Sequence, residues 1–328
     1  MSETTSFLSS LFPQQPSSDI PATALSLLDH ERVLGVSGPD ATRFLQGQLT
    51  CDVESLTDGT STLGARCNPK GRMLSSFRLL KLDSDNYLLA MARDLLEAQQ
   101  ADLAKYAVFF KVELSDASDH WLRLGLWGAQ ASKALASASL SEQLTESGIA
   151  LAIGDSMLEL WLPSDTAKPL ITALTQDAQP TSTHAWILQQ IRAGIGHVQL
   201  ETRESFIPQM LNLDLTGGVS FTKGCYTGQE IVARMHYLGK LKRRMYRLTW
   251  AGDSLPAPGT VIVDSATDKA LGHVVIAAQA GQYIELLAVL QSDATQLPTL
   301  AISNSIEPPL HVSTLPYEHL FAADTETE

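Results

Sequence analysis

Two patterns of apolar and polar positions follow one another along the chain. Short apolar runs between turn residues predict strands, and apolar residues recurring every three or four positions predict helices. The first domain-sized stretch shows both, and the pattern restarts at Trp121. Strands are predicted at 32–36, 60–67, 73–82, 87–91, 121–127 and 157–162, and helices after Gly38-Pro39-Asp40 and at 95–106, 129–140, 167–174 and 184–193. Since the two kinds of element do not alternate regularly, the pattern predicts α+β layers and not a doubly wound nucleotide-binding fold.

Beyond Gly239 the chain changes to short apolar runs separated by Gly, Pro and Asp, which is typical of a small β-barrel. Five segments are therefore expected. They are a flexible arm (1–24), a first α+β domain (25–118), a second α+β domain (119–239), a β-barrel domain (240–322) and an acidic tail (323–328).

Composition excludes several classes of protein but does not by itself indicate a function. With 36 acidic and 23 basic residues, the net charge of the 328-residue chain is -13, the wrong sign for a surface that follows a phosphate backbone throughout. The chain has no signal-peptide pattern and no apolar run long enough to span a bilayer. Its three cysteines form no C-x-x-C pair, so neither a disulfide framework nor a metal site is expected. We expect a monomer in the cytoplasm, without membrane contact.

The most informative stretch is residues 217–239, here called the signature segment. It predicts a turn, a short strand at 219–221 and a helix started by a capping box from Thr227 to Glu230. Cys225 then lies just before a helix N-terminus and beside Lys223, and both features favour a reactive thiolate. The alternative is that Cys225 is a small buried apolar residue in a glycine-rich turn.

A local positive strip follows on this acidic chain. Residues 231–252 contain no acidic residue but six of the 23 basic ones: Arg234, Lys240, Lys242, Arg243, Arg244 and Arg247. The strip could attract a polyanion such as a polyglutamate tail or, weakly, an RNA phosphate backbone through residues 234–247. It could equally be a solvated face at a domain joint.

The run K-G-C-Y-T-G-Q-E at 223–230 resembles the signature of the YgfZ family, folate-binding relatives of the glycine-cleavage T protein that include an iron-sulfur assembly factor. P-Q-M-L-N-L-D at 208–214, C-N-P-K-G-R at 67–72 and K-R-R at 242–244 support the resemblance. It implies a three-domain cloverleaf of two α+β domains and a β-barrel around a central folate cavity.

The resemblance also implies a set of site residues. Cys225 is the catalytic candidate, and the candidates for binding tetrahydrofolate or a derivative are Trp186, Arg192, Lys223, Gly224, Tyr226, Gln229, Glu230 and Arg234. Trp186 either stacks on the ligand or packs in the core. Arg192 stands where the T protein has a glutamate that anchors the pterin, and it could face the glutamate tail of the ligand instead. Ser75-Ser76-Phe77 stands where aminomethyltransferases carry a catalytic aspartate, which leaves the enzymatic status open.

Three hypotheses follow. The leading one is a folate-binding protein that supports iron-sulfur enzymes, including those that modify tRNA. A folate-dependent one-carbon transferase is the second, and the replaced aspartate counts against it. A tRNA-binding module is the third, and the net charge counts against it.

Overall fold

The computed structural model of the protein describes residues 3–15, 21–154, 156–239, 241–305 and 308–323. The α-helices are α1 (Glu3–Leu11), α2 (Ala41–Gln48), α3 (Leu96–Ala107), α4 (Ala131–Ser137), α5 (Ala167–Leu174), α6 (Thr183–Ala193), α7 (Gln229–Tyr237) and α8 (His319–Ala323). None of the helices in these ranges has the length and apolar character needed to cross a bilayer.

The strands form three sheets. They are β1 (Thr23–Leu27), β2 (Glu31–Ser37), β3 (Ser61–Cys67), β4 (Met73–Lys81), β5 (Asn86–Ala92), β6 (Glu113–Asp116), β7 (Trp121–Gly128), β8 (Ile149–Ala152), β9 (Met157–Pro163), β10 (Gln179–Thr181), β11 (Arg243–Trp250), β12 (Val261–Asp264), β13 (Lys269–Ala280), β14 (Tyr283–Gln291), β15 (Leu300–Ile302) and β16 (His311–Ser313). The strand orders are β10-β1-β7-β9-β8, β3-β4-β5-β2-β6 and β15-β12-β13-β14-β11-β16. The predicted mixture of α and β elements is confirmed.

Most predicted elements are observed because their apolar positions are buried. Helix α5 has the predicted bounds, and its Ala167, Ile171 and Leu174 are buried. In α2 the apolar face is carried by Ala41, Phe44 and Leu45, all of them buried.

The amino-terminal arm differs from the prediction. Residues 3–11 form helix α1, and Leu8 and the following Phe12 are buried in a cluster with Leu25, Leu124 and Ile171. Residues 3–12 are therefore not a loose arm. The prediction failed because the segment is rich in serine and has only two buried apolar residues, one turn apart. Residues 16–20 and the acidic tail at 324–328 lie outside the described residues.

The chain forms two compact units, each assembled from separated segments. The first contains residues 1–42, 56–61 and 79–189, and the second contains residues 43–55, 62–78 and 190–328. These limits differ from the expected boundaries after 118 and 239, and the three-domain cloverleaf with its central cavity stays a prediction.

In the first unit, β1 pairs in parallel with β10 and antiparallel with β7, which continues to β9 and β8. Helices α1, α4 and α5 supply apolar side chains to the core cluster of this sheet. The sheet therefore buries one continuous apolar layer beneath its helices.

In the second unit, six antiparallel strands form a curled sheet with a core of Leu248, Ile262, Val274 and Leu286 among others. Register shifts at 262/263 and 274/276 mark irregularities that bend strands of this kind. The two end strands, β15 and β16, are not neighbours in the sheet, so the predicted closed barrel is a half-barrel in the described part of the chain.

Candidate functional site

Lys223 fastens the signature segment to the end of helix α2. Its Nζ donates hydrogen bonds to the backbone oxygens of Gln46, Leu49 and Cys51 at 2.7, 2.8 and 2.8 Å. An ammonium has three donors, so all three are used, and carbonyls at a helix C-terminus favour a cation. Burial lowers the pKa of Lys223 to about 8. We call this arrangement the Lys223 clamp.

The helix after the loop starts differently from the prediction. Gly228 precedes α7 with a φ of 87°, and no side chain caps the helix, so the expected capping box between Thr227 and Glu230 is wrong. Thr227 is fixed through its backbone instead, because its N–H donates to the oxygen of Gly47. The expected strand at 219–221 is also absent from this described stretch.

Gly228 is needed because another turn presses against it. A Cβ there would lie 2.5 Å from the oxygen of Asn68 and 2.9 Å from the Cβ of Cys67, and a Cβ on Gly71 would lie 2.9 Å from that of Ile231. Asn68 holds this second turn by accepting from the N–H groups of Lys70 and Arg72. The two most distinctive glycine turns of the sequence thus pack on each other.

Cys225 is exposed on this clamped loop, whereas Cys51 and Cys67 are buried. The alternative interpretation of Cys225 as a small buried apolar residue is therefore wrong. Burial raises the pKa of both Cys51 and Cys67 to about 12. Among the three thiols, only that of Cys225 is presented to solvent.

Tyr226, the neighbour of the exposed Cys225, is buried. Lys223 Nζ lies 5.2 Å from the centre of its ring, and its hydroxyl has no hydrogen-bond partner within the described residues. Burial raises the pKa of this phenol. Of the other predicted residues nearby, Gly224, Glu230 and Arg234 are exposed and Gln229 is partly buried.

Arg192 at the end of α6 is already engaged. It donates to both carboxylate oxygens of Glu285 on β14, and Arg247 on β11 donates to the same carboxylate. Burial alone would raise the pKa of Glu285, but hydrogen bonds from Arg192 and Arg247 outweigh it, and the pKa is lowered. Arg192 therefore joins a helix to a sheet, a role that sequence patterning missed because Glu285 is 93 residues away.

The motifs at 208–214 and 242–244 prove to be partners. Arg244 donates to both carboxylate oxygens of Asp214 at 3.1 and 3.0 Å. Asn212, in a left-handed conformation with φ 58°, donates to the backbone oxygen of Met245. Because Arg244 and Arg247 are engaged and Lys240 lies outside the described residues, the positive strip reduces to Arg234, Lys242 and Arg243.

Ser75 and Ser76, which stand where the resemblance implies a catalytic aspartate, are both buried. The Oγ of Ser76 accepts from the N–H of Val198 at 2.8 Å and lies 3.3 Å from Nδ1 of His197. The hydroxyl of Ser76 is therefore satisfied between a backbone amide and an imidazole.

Trp186 belongs to the first unit and is fully buried, in contact with Trp127 at 5.7 Å between ring centres. Gly125 makes room for its ring, because a Cβ there would lie 2.2 Å from it. Trp186 is thus a core residue in this structure. Its indole N–H is also buried without a partner among the described residues.

Glu31 is likewise part of the first unit's interior. Arg123 forms ion pairs with Glu31 and Glu159, and its guanidinium lies 4.5 Å from the centre of the Trp161 ring. These three charged side chains therefore form a buried charge cluster.

Two clefts of the described structure lie elsewhere. One is formed by Trp250, Asp253 and residues 302–305 in the half-barrel, and the other by residues 21–23, Gln130 and 175–180. Neither contains a predicted site residue.

Comparison with known proteins first defines the class of fold. A model of the GCVT N-terminal domain matches residues 23–151. The glycine cleavage system aminomethyltransferase T from Bartonella henselae superposes with a TM-score of 0.70, covering 92% of this chain and 87% of that one at 19% identity. The protein therefore has a GcvT-like fold.

Closer relatives define the family. The chain is 34% identical over 311 residues to "tRNA-modifying protein YgfZ" of Klebsiella pneumoniae (strain 342), with 90% of each chain covered. It is 32% identical over 317 residues to the protein of the same name from Yersinia pseudotuberculosis serotype IB, covering 93% of this chain and 95% of the relative. The chain belongs to the YgfZ family.

Proposed function

We propose that this protein acts in tRNA modification, by binding a reduced folate and by using the thiol of Cys225 to sustain iron-sulfur enzymes. The observation that carries the proposal is the exposed thiol on a loop fixed by three hydrogen bonds from Lys223. A fixed, accessible soft ligand suits contact with a cluster or a persulfide. The names of the relatives support the tRNA part.

Folate fits some of the predicted residues and not others. The hydroxyl of Tyr226 is a buried group that lacks a partner within the described residues, and a polar ligand could satisfy it. Trp186 does not fit the expected stacking on the ligand, because its ring is fully buried against Trp127. Arg192 does not fit the expected contact with a glutamate tail, because Glu285 engages its guanidinium. A bound folate would supply one-carbon or redox chemistry, whereas the residues described here bind and orient.

Folate binding is tested by calorimetric titration of the whole protein with tetrahydrofolate. Tyr226→Phe removes one unpartnered donor and little packing, so it should weaken binding about tenfold while the protein stays folded. Phe109→Ala, at an exposed ring outside the predicted site, serves as the control. Unchanged affinity in Tyr226→Phe would remove Tyr226 from the site.

The role of Cys225 is tested by complementing a deletion strain. We expect the wild-type protein and the control Phe109→Ala, at an exposed ring outside the predicted site, to restore the thiolated and methylthiolated nucleosides of tRNA, and Cys225→Ala to restore neither. Full restoration by Cys225→Ala would show that the thiol is not the working group.

The one-carbon transferase is disfavoured by the buried serine hydroxyl of Ser76, which stands where that class of enzyme carries a carboxylate. A carboxylate placed there would be buried beside the N–H of Val198 and His197, without the surroundings of a transfer site. We therefore expect Ser76→Asp to give no aminomethyl transfer in a glycine-cleavage assay. Restored glycine cleavage by the wild-type protein would favour the transferase instead.

A further inference from the structure

Aromatic rings from two separated parts of the signature segment stack on its surface. The Phe221 and His236 ring centres are 3.7 Å apart with 10° between the planes. Tyr237 meets both rings edge-on, and it is 63% exposed while the adjacent Leu238 is 85% exposed. We call these four residues the stacking surface.

Two exposed cations lie close to this surface in the sequence and form no ion pair within the described residues. Arg234 lies on α7, one turn before Leu238, which directly follows the helix. Lys242 lies four residues after Leu238. Arg234 and Lys242 are both exposed. Neither side chain has a hydrogen bond or ion pair within the described ranges, although Glu230 precedes Arg234 by one turn. Arg243 adds a third cation, which is partly buried. Burial lowers the pKa of His273, and the charge of Arg243 lowers it further.

We propose that unpaired RNA bases stack on Phe221, His236 and Tyr237 while Arg234 and Lys242 hold the adjoining phosphates. The Phe221–His236 pair already has the spacing and near-parallel planes of stacked bases, and exposed rings among free cations are the usual means of holding single-stranded nucleic acid. The inference deepens the proposed function by assigning tRNA a contact through an unpaired loop.

An RNA loop fits this surface better than a protein partner does. Interfaces between proteins depend on apolar area with few charges at the centre, whereas here the exposed rings lie among uncompensated positive charges. The loop that carries Phe221 also carries Cys225 four residues later, a span of at most about 14 Å. Bases held here would therefore lie near the exposed thiol.

The test is fluorescence anisotropy with a labelled RNA hairpin that has an unpaired loop and with a fully paired RNA of equal length. We expect the hairpin to bind more tightly, and Tyr237→Ala and His236→Ala each to weaken its binding about tenfold without affecting the paired RNA. Arg234→Gln and Lys242→Gln should weaken both RNAs and reduce the dependence of binding on salt.

Matched controls separate stacking from general effects. Phe109→Ala removes another exposed ring, and Lys269→Gln another exposed cation, so both should bind the hairpin like the wild type. Equal binding of hairpin and duplex, or no loss in the two ring variants, would overturn the stacking proposal. So would a lack of RNA binding at low salt together with cross-linking of a protein partner at Tyr237.

Cys225→Ser should bind the hairpin normally. If it does, and tRNA modification in cells is nevertheless independent of Cys225, the proposed function fails while the RNA surface stands.

Discussion

At the scale of single residues, the environments of the three cysteines differ sharply. Cys51 and Cys67 are each 1% exposed, and burial raises their pKa to about 12, so thiolate is scarce there near neutral pH. Cys225 is exposed. We expect iodoacetamide at neutral pH to label Cys225 at least tenfold faster than either buried thiol, as measured by mass spectrometry of partially alkylated protein.

Unfolded protein provides the control for this labelling, because all three thiols should then react at similar rates. Equal labelling of Cys225 and the buried thiols in folded protein would contradict an accessible reactive loop.

Two glycines of the same loop give a matched pair of substitutions. Gly228→Ala places a methyl group 2.5 Å from the oxygen of Asn68 at a residue with φ 87°, so it should lower the free energy of unfolding by roughly 2–4 kcal/mol. Gly224→Ala meets no atom within 4 Å and should change it by less than about 0.5 kcal/mol. Urea unfolding measures both. A Gly228→Ala variant as stable as wild type would mean that the two turns are not in contact.

Residue types alone indicated some of these roles. The run at 223–230 identified Cys225 and Lys223, but the partners of Lys223 are backbone oxygens 172 to 177 residues earlier in the chain. Similarly, no local pattern shows that His236 stacks on a phenylalanine fifteen positions before it. Contacts of this kind depend on the tertiary fold and leave little periodic signal.

At the scale of elements, one carboxylate connects a helix to the curled sheet. Glu285 on β14 binds Arg192 of α6 and Arg247 of β11. Its pKa is lowered in the folded state, so this contribution to stability is present above the unfolded value near 4.5 and is lost as pH falls through the folded pKa. We expect Glu285→Gln to lower the free energy of unfolding by about 2 kcal/mol at neutral pH.

Measurement of unfolding against pH checks the sign. The difference between wild type and Glu285→Gln should shrink as pH falls below 4.5, where the carboxylate of the unfolded chain takes up a proton before that of the folded protein. Glu113→Gln, at an exposed strand residue, is the control. A constant difference at all pH values would rule out the charged form as the source of stability.

Elements were predicted best where a local pattern coincided with burial. Helix α5 was predicted over its full length because its apolar spacing matches its buried face. Helix α1 was missed, since its few anchors, Leu8 and Phe12, lie in a serine-rich segment. The start of α7 was placed slightly early because backbone contacts at Gly228 replace the side-chain cap that Thr227 suggested.

At the scale of the whole molecule, buried weak acids control alkaline stability. Burial raises the pKa of Cys51, Cys67 and Tyr317 to about 12, and each contributes stability that is present below its unfolded value and lost as pH rises towards 12. Lys223 has the opposite effect, because its lowered pKa makes the free energy of unfolding rise between about pH 8 and the unfolded pKa of 10.5. It is one group against these three acids. The free energy of unfolding should therefore fall above about pH 9.

The slope of the free energy of unfolding against pH identifies the groups that cause the decline. Each buried thiol should contribute up to about 1.4 kcal/mol per pH unit. Replacing Cys51 and Cys67 together by alanine should flatten the decline, whereas Cys225→Ala should leave it unchanged. An equally steep decline in the double variant would assign the effect to other groups.

The second unit is assembled from segments far apart in the chain, so it cannot be completed until late in synthesis. Arg72 bonds to the oxygen of Ser205, 133 residues further on, and Met73 pairs with Glu204 and Phe206 around the same point. At about 5–20 residues per second, a ribosome needs roughly seven to twenty-seven seconds to deliver these partners after the hairpin has emerged. During that interval the newborn chain displays the apolar strand that begins at Met73 without its later cover. Slower translation between residues 73 and 206 would therefore lengthen the time for which this strand is uncovered.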